Sequence, residues 1–235
     1  MPALEIEDVS MTFGGVKAVQ HVSMTIAPGE RVGLIGPNGA GKSTLMSIIS
    51  GFRRPTAGTI RSFGTDITRW GATRRVQYGI GRAFQHPELF ESLTLGESLR
   101  IVPGAERDRI GEVVEALELG PYVDQLNSSL PYGVRKLSDV ARGVLVTTKL
   151  LLLDEPGAGL AEADKNRVRH ALDCLAGDRG WACLVVDHDI DFVLSTVTRL
   201  YVLNFGELMA EGEPREVLAR DAVAAAYVGG WNTHG

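Results

Sequence analysis

The stretch Gly36-Pro37-Asn38-Gly39-Ala40-Gly41-Lys42-Ser43-Thr44 constrains the fold more than any other part of the chain. It lies between an apolar run, Val32 to Ile35, that reads as a strand, and a run from Thr44 to Ser50 that reads as a helix. A strand that turns through glycines into a helix lines up backbone N–H groups at the helix N-terminus, where the partial positive charge favours anions. Gly36, Gly39 and Gly41 let the backbone curl, with Asn38 and Ala40 between them. Lys42 has the reach to meet the β- and γ-phosphates of a nucleoside triphosphate, and Ser43 offers a hydroxyl to Mg2+ before Thr44 continues the helix.

The complementary half of such a site stands far along the chain, in Leu150-Leu151-Leu152-Leu153-Asp154-Glu155-Pro156. Apolar residues running into two acids read as a buried strand that delivers carboxylates at its C-terminal edge, where open α/β sheets bind ligands. Asp154 is expected to hold the Mg2+ shell and Glu155 to polarise the attacking water.

Composition narrows what surrounds this pair. The 235 residues are 44% hydrophobic and 23% charged, which suits one large core or two joined lobes. No segment reaches 18 consecutive apolar residues, and the N-terminus has neither a basic flank nor an apolar stretch of signal type, so neither a membrane span nor a secreted product is expected. A net charge of -5 argues against a general nucleic-acid surface. Cys174 and Cys183 have no metal-ligand spacing and read as packing thiols in a reducing compartment. The pairs Arg53-Arg54 and Arg74-Arg75 read as solvated faces, and His21, His86, His170 and His234 as structural or exposed.

Along the chain, Leu4 to Met11 alternates apolar and polar residues, and Phe13-Gly14-Gly15 turns into a second alternating run around Val22, Met24 and Ile26. From Gln85 to Ser138 the period becomes helical, with Ile110, Val113, Val114 and Leu117 near helical spacing. Strand and helix then alternate: Leu150 to Leu153, a helix about Val168, Leu172 and Leu175, strands Ala182 to Val186 and Leu200 to Leu203, a turn at Asn204-Phe205-Gly206, and helix from Pro214. The fold class expected is α/β, with residues 1–84 and 141–235 forming a nucleotide-binding core with an N-terminal antiparallel β subdomain, and 85–140 an inserted helical subdomain.

In this order the motifs resemble the ABC-type ATPases over nearly the whole chain. The resemblance implies ATP and Mg2+ as cofactors and assigns further residues. Phe13 matches the aromatic that stacks on adenine; Gln85, in Ala83-Phe84-Gln85-His86-Pro87, the glutamine that touches Mg2+ and the attacking water; His188, in Asp187-His188-Asp189, the γ-phosphate histidine. The segments Met11 to Val19, Glu155-Pro156-Gly157-Ala158-Gly159-Leu160, Asp187 to Val193 and Gly206 to Gly229 are similar to ATP-binding subunits of branched-chain amino-acid uptake systems. Lipopolysaccharide-export ATPases are similar around the phosphate loop.

The family's usual LSGGQ signature is matched by Leu130-Pro131-Tyr132-Gly133-Val134, with Tyr132 and Gly133 facing the ATP of a partner. Pro131 and Val134 depart from the serine and glutamine of that pattern, and Ala161 stands where the segment after the catalytic acid usually carries aspartate. The resemblance implies a head-to-tail ATPase dimer, with a paralogue or a second copy, driving integral-membrane permease subunits at the cytoplasmic face of the membrane and served indirectly by a solute-binding protein; nucleic acid is not an expected partner. Leu89 and Phe90, beside Gln85, are expected to receive a short permease helix. A soluble ABC ATPase of repair or translation, or a regulatory module of low turnover, are the alternatives. The first lacks here its coiled-coil insertion or second ATPase domain; Glu155 speaks against the second.

Overall fold

The computed structural model describes residues 1–176 and 180–229. The chain opens with a hairpin, β1 (Leu4–Phe13) and β2 (Val16–Ile26), whose alternating inward residues reach the core. Then come β3 (Arg31–Ile35), α1 (Lys42–Ile49), β4 (Ala57–Ser62), β5 (Thr65–Asp66), α2 (Ala72–Tyr78) and β6 (Ile80–Ala83). The helical part holds α3 (Leu95–Arg100), α4 (Arg107–Ala116) and α5 (Tyr132–Val146). Last are β7 (Leu150–Asp154), α6 (Glu162–Ala176), β8 (Ala182–Val186), α7 (Ile190–Thr196), β9 (Arg199–Asn204), β10 (Glu207–Gly212), α8 (Pro214–Leu218) and α9 (Asp221–Gly229).

Two sheets result. One is antiparallel in the order β2-β1-β4-β5; the other runs β10-β9-β3-β8-β7-β6 and is parallel apart from β10. The five residues of β7 and of β8 are all buried, because both faces of the parallel sheet are covered and period-two alternation has no reason to appear. One face, carrying Leu150, Leu152, Leu184 and Val186, packs on α1 and the antiparallel sheet; the other, carrying Leu151, Leu153, Cys183 and Val185, packs on α5 and α6. Helix starts follow local chemistry. Thr94 and Glu97 close a capping box at α3, and the Asp189 carboxylate accepts the Phe192 N–H at α7.

Several expectations need correction. Arg75 is buried, not solvated: its guanidinium donates to the carbonyls of Ile48, Ile49 and Ile67 at 2.7, 2.5 and 2.7 Å, covering the last turn of α1 where free carbonyls favour a cation. Burial depresses its pKa to about 10. Cys174 is exposed, next to His170 one turn back at 3.5 Å, because it falls off the inward stripe of Val168, Ala171, Leu172 and Leu175. Cys183 does pack in the core, which pushes its thiol up to about 12. The residue 140/141 division falls within the single helix α5, and His234 lies outside the described residues.

Candidate nucleotide-binding site

β3 and α1 deliver the phosphate loop between them. Gly36 and Gly41 have φ of 154° and 104°, and a Cβ there would stand 2.0 Å from Leu203 O and 2.3 Å from Ala18 O, so glycine is required by contact as well as by conformation. At Gly39, φ 78°, the same construction meets open space, so there the conformation alone favours glycine. Lys42 sits nearly buried at its floor and donates to Gly36 O at 2.7 Å and Pro37 O at 3.0 Å, spanning the loop. Desolvation lowers its pKa, against the opposing pull of Glu155 and Asp154. Ser43, Asn38 and Gly39 are exposed, Thr44 half-buried and Ala40 buried.

Asp154 ends β7, and Glu155 follows it directly at the strand's C-terminal edge. Asp154, buried, is bonded to Arg82. Glu155 has φ 50°, a left-handed conformation uncommon outside glycine, and is held there by its N–H donating to Val186 O at 2.7 Å. Its carboxylate receives the Gln85 Nε2 donor at 2.8 Å on Oε2 and faces His188 Nε2 at 3.0 Å on Oε1. Two side chains from distant parts of the chain thus meet on one carboxylate. Phe13, at the end of β1, is partly exposed with the Arg53 guanidinium 4.9 Å from its ring centre. Tyr132 and Gly133 begin α5, where Tyr132 is exposed; Leu89 turns inward, and Phe90 alone of that pair stays exposed.

Other contributors were assigned no role in the site from sequence. The Asp187 carboxylate accepts the N–H of Gly157 at 2.8 Å and of Asp189 at 3.0 Å, tying the loop after Glu155 to the loop of His188; burial raises its pKa despite those bonds. Lys136 and Asp139 of α5 bind the backbone around Phe84 and Gln85. Arg82 lies in β6 and belongs to none of the sequence motifs.

The oxygen donors of Ser43, Gln85 and Asp154 suit a hard cation such as Mg2+. Among the described residues no group of three or more His, Cys, Asp or Glu could hold a metal alone, so phosphate oxygens would have to complete the shell, as is usual for Mg2+.

A glycine-turned anion cradle with a lysine at its floor, opposite two carboxylates at a parallel sheet's C-terminal edge, defines a nucleoside-triphosphate hydrolase fold. Residues 19–158 match the ABC transporter family, and the chain belongs to it. It is 30% identical to the high-affinity branched-chain amino acid transport ATP-binding protein LivG of Escherichia coli K12, over 97% of this chain and 98% of that one. It is 32% identical, with the same coverage, to the lipopolysaccharide export system ATP-binding protein LptB of Haemophilus influenzae. The ADP conformation of MJ1267, an ATP-binding cassette of an ABC transporter, superposes with a TM-score of 0.86 at 31% identity, over 97% of this chain and 99% of that one. A dimeric post-hydrolysis state of the cassette MJ0796 with ADP and Pi gives 0.80 at 25% identity, over 90% and 99%. The chain is therefore an ATP-hydrolysing subunit of a transporter. No helix among the described residues is long and apolar enough to cross a membrane.

Proposed function

We propose that this subunit powers uptake of branched-chain or related amino acids, docked at the cytoplasmic face of the membrane against integral permease subunits and paired with a paralogous ATPase chain. The similarity to LivG over almost the full length of both chains carries this reading. The comparable similarity to LptB makes lipopolysaccharide export the second reading.

In this reading Phe13 stacks on adenine, and Gly36, Asn38, Gly39, Ala40, Gly41, Lys42, Ser43 and Thr44 hold the phosphates. Lys42 exchanges the Gly36 and Pro37 carbonyls for phosphate oxygens. Ser43, Gln85 and Asp154 would hold Mg2+, which would supply positive charge against the phosphates. Glu155 takes the proton of the attacking water, a role the 2.8 Å bond from Gln85 and the 3.0 Å approach of His188 keep in line. His188 contacts the γ-phosphate. Tyr132 and Gly133 face the ATP bound by the partner. ATP drives closure only through its tighter binding to the closed dimer.

The test is uptake. Deleting the gene should abolish energised uptake of labelled leucine, isoleucine or valine, and restoring it should restore uptake; unchanged uptake of all three would overturn the substrate reading. A cysteine at position 90 should cross-link to a cytoplasmic loop of the permease, since Phe90 is 58% exposed beside the Gln85 loop.

A further inference from the structure

Arg82 stands opposite Leu152 in the parallel register of β6 with β7. Side chains alternate along strands, so Arg82 emerges on the face that also carries Ile80, Leu150, Leu152 and Asp154, the face covered by α1. There its guanidinium donates through one terminal nitrogen to Asp154 Oδ2 at 2.6 Å and through the other to the Ser50 hydroxyl at 2.8 Å. Ser50 caps the C-terminus of α1 and donates in turn to Met46 O at 2.8 Å. Phe84 and Phe52, packed edge to face, wall the guanidinium with ring centres 4.8 and 5.7 Å away. The Arg82 and Asp154 side chains are only 12% and 5% exposed.

We propose that Arg82 is a positioning residue for the divalent-cation site. It holds one oxygen of Asp154, fixes the carboxylate's orientation and leaves the second oxygen for the metal's shell. The anchor on Ser50 is what makes this more than charge neutralisation. Ser43 and Ser50 are two turns apart on the same side of α1, so one rigid helix sets the hydroxyl offered at its N-terminus and, through Arg82, the carboxylate that must meet the same cation. A simple counter-ion would need no such second bond, and would weaken metal binding by competing for Asp154. The planar fork of arginine makes the two bonds from separate nitrogens held in a fixed geometry, which the single nitrogen of a lysine does not reproduce. The inference rests on the reading of Ser43 and Asp154 as metal-site residues.

The experiment compares ATP affinity of the purified chain in excess EDTA and across a Mg2+ titration, for wild type, Asp154→Asn, Arg82→Met, Arg82→Lys and Ser50→Ala. Wild type should bind ATP more tightly with Mg2+, and Asp154→Asn should lose that gain. Arg82→Met should raise the Mg2+ concentration for half-maximal gain about tenfold or more, leaving affinity in EDTA unchanged. Arg82→Lys and Ser50→Ala should shift it the same way by less; they carry the test if Arg82→Met fails to fold. Equal losses with and without Mg2+, an unchanged Mg2+ midpoint in the folded variants, or a tighter midpoint would overturn the inference. If instead Asp154→Asn keeps the wild-type Mg2+ dependence, the metal-site reading fails, and the inference with it.

Discussion

The Lys136 ammonium donates to the carbonyl oxygen of Gln85 at 2.5 Å, joining the helix that begins at Tyr132 and Gly133 to the loop whose side chain reaches Glu155. The same nitrogen donates to Phe84 O at 3.2 Å; Asp139, three residues on, accepts the Phe84 N–H at 2.6 Å; Arg142, three further, donates to Glu88 O at 2.6 Å. Spacing of three keeps these side chains along one side of α5. Four backbone groups of the 84–88 loop are thereby fixed from one helix, so a shift of α5 should carry the backbone of Gln85 with it.

Lys136→Met should break this link and leave two carbonyls without their donor. The expected loss is about 1 to 3 kcal/mol of stability. Turnover by the assembled complex should fall about tenfold while the KM for ATP changes less than about threefold, because the phosphate loop is untouched. Lys136→Arg should recover most of the rate. Thermal melts and steady-state kinetics check both parts; a KM effect larger than the kcat effect would contradict it.

Asp139 gives a pH signature. Burial pushes its carboxyl up to about 6, against the Phe84 N–H and the cations of Arg142 and Lys136, with Glu88 adding to the rise. The folded state therefore binds this proton more tightly than the unfolded state. Its contribution to stability is greatest below about pH 4, declines as pH rises to about 6, and is flat above. The full difference is on the order of 3 kcal/mol for a shift of this size. Asp139→Asn should flatten that segment of the stability–pH curve relative to wild type, as followed by denaturant melts from pH 4 to 8.

Glu155→Gln keeps an acceptor for the Gln85 amide but cannot take a proton. Turnover should drop by about 10^2 to 10^4 with ATP affinity nearly unchanged, whereas Lys42→Ala should weaken binding itself. Phosphate release and nucleotide-binding titrations, made with whatever partners wild-type activity needs, separate the two. A Glu155→Gln protein turning over at the wild-type rate would remove Glu155 from its proposed role.

What the sequence disclosed and what it hid differ by the kind of signal. The phosphate loop and the β7 carboxylates are contiguous, and their elements fall almost where periodicity puts them; α1 starts at Lys42, two residues before the expected Thr44, because its first turn has no apolar residue to register. The stretch from β4 to β6 went unread. Its strands and helix are short, and the inward residue of α2 is Arg75, a charge where periodicity looks for an apolar side chain. The meeting of Gln85 and His188 on Glu155 was accessible only through resemblance, since their distant loops are brought together by parallel pairing of β6, β7 and β8. Lys136 and Asp139 bind backbone groups, which leave no side-chain pattern to find.

The start of α5 supports a final prediction, that this chain works best opposite a partner with a more regular signature. Pro131 occupies the N-cap, and no side chain caps the helix there, so free N–H donors remain but the hydroxyl of the family's serine is missing. Val134 is buried in the same core cluster as Leu137 and Leu160, and an apolar side chain offers no donor in place of the family's glutamine. Gly133 is held close by its neighbours, since a Cβ there would lie 2.8 Å from Asp164 Oδ2. Loss of one charge-assisted hydrogen bond to a phosphate costs about 1.5 to 3 kcal/mol, roughly ten- to a hundredfold in rate or equilibrium. The isolated chain, forced to pair with its own signature, should therefore hydrolyse ATP at least about tenfold more slowly than the complex containing its paralogue. Pro131→Ser, which restores a hydroxyl and a capping acceptor, should raise the isolated chain's rate and its thermal stability together. ATPase assays of the chain alone, of the Pro131→Ser variant and of the reconstituted complex decide the matter: full activity from a wild-type homodimer would refute the asymmetric arrangement.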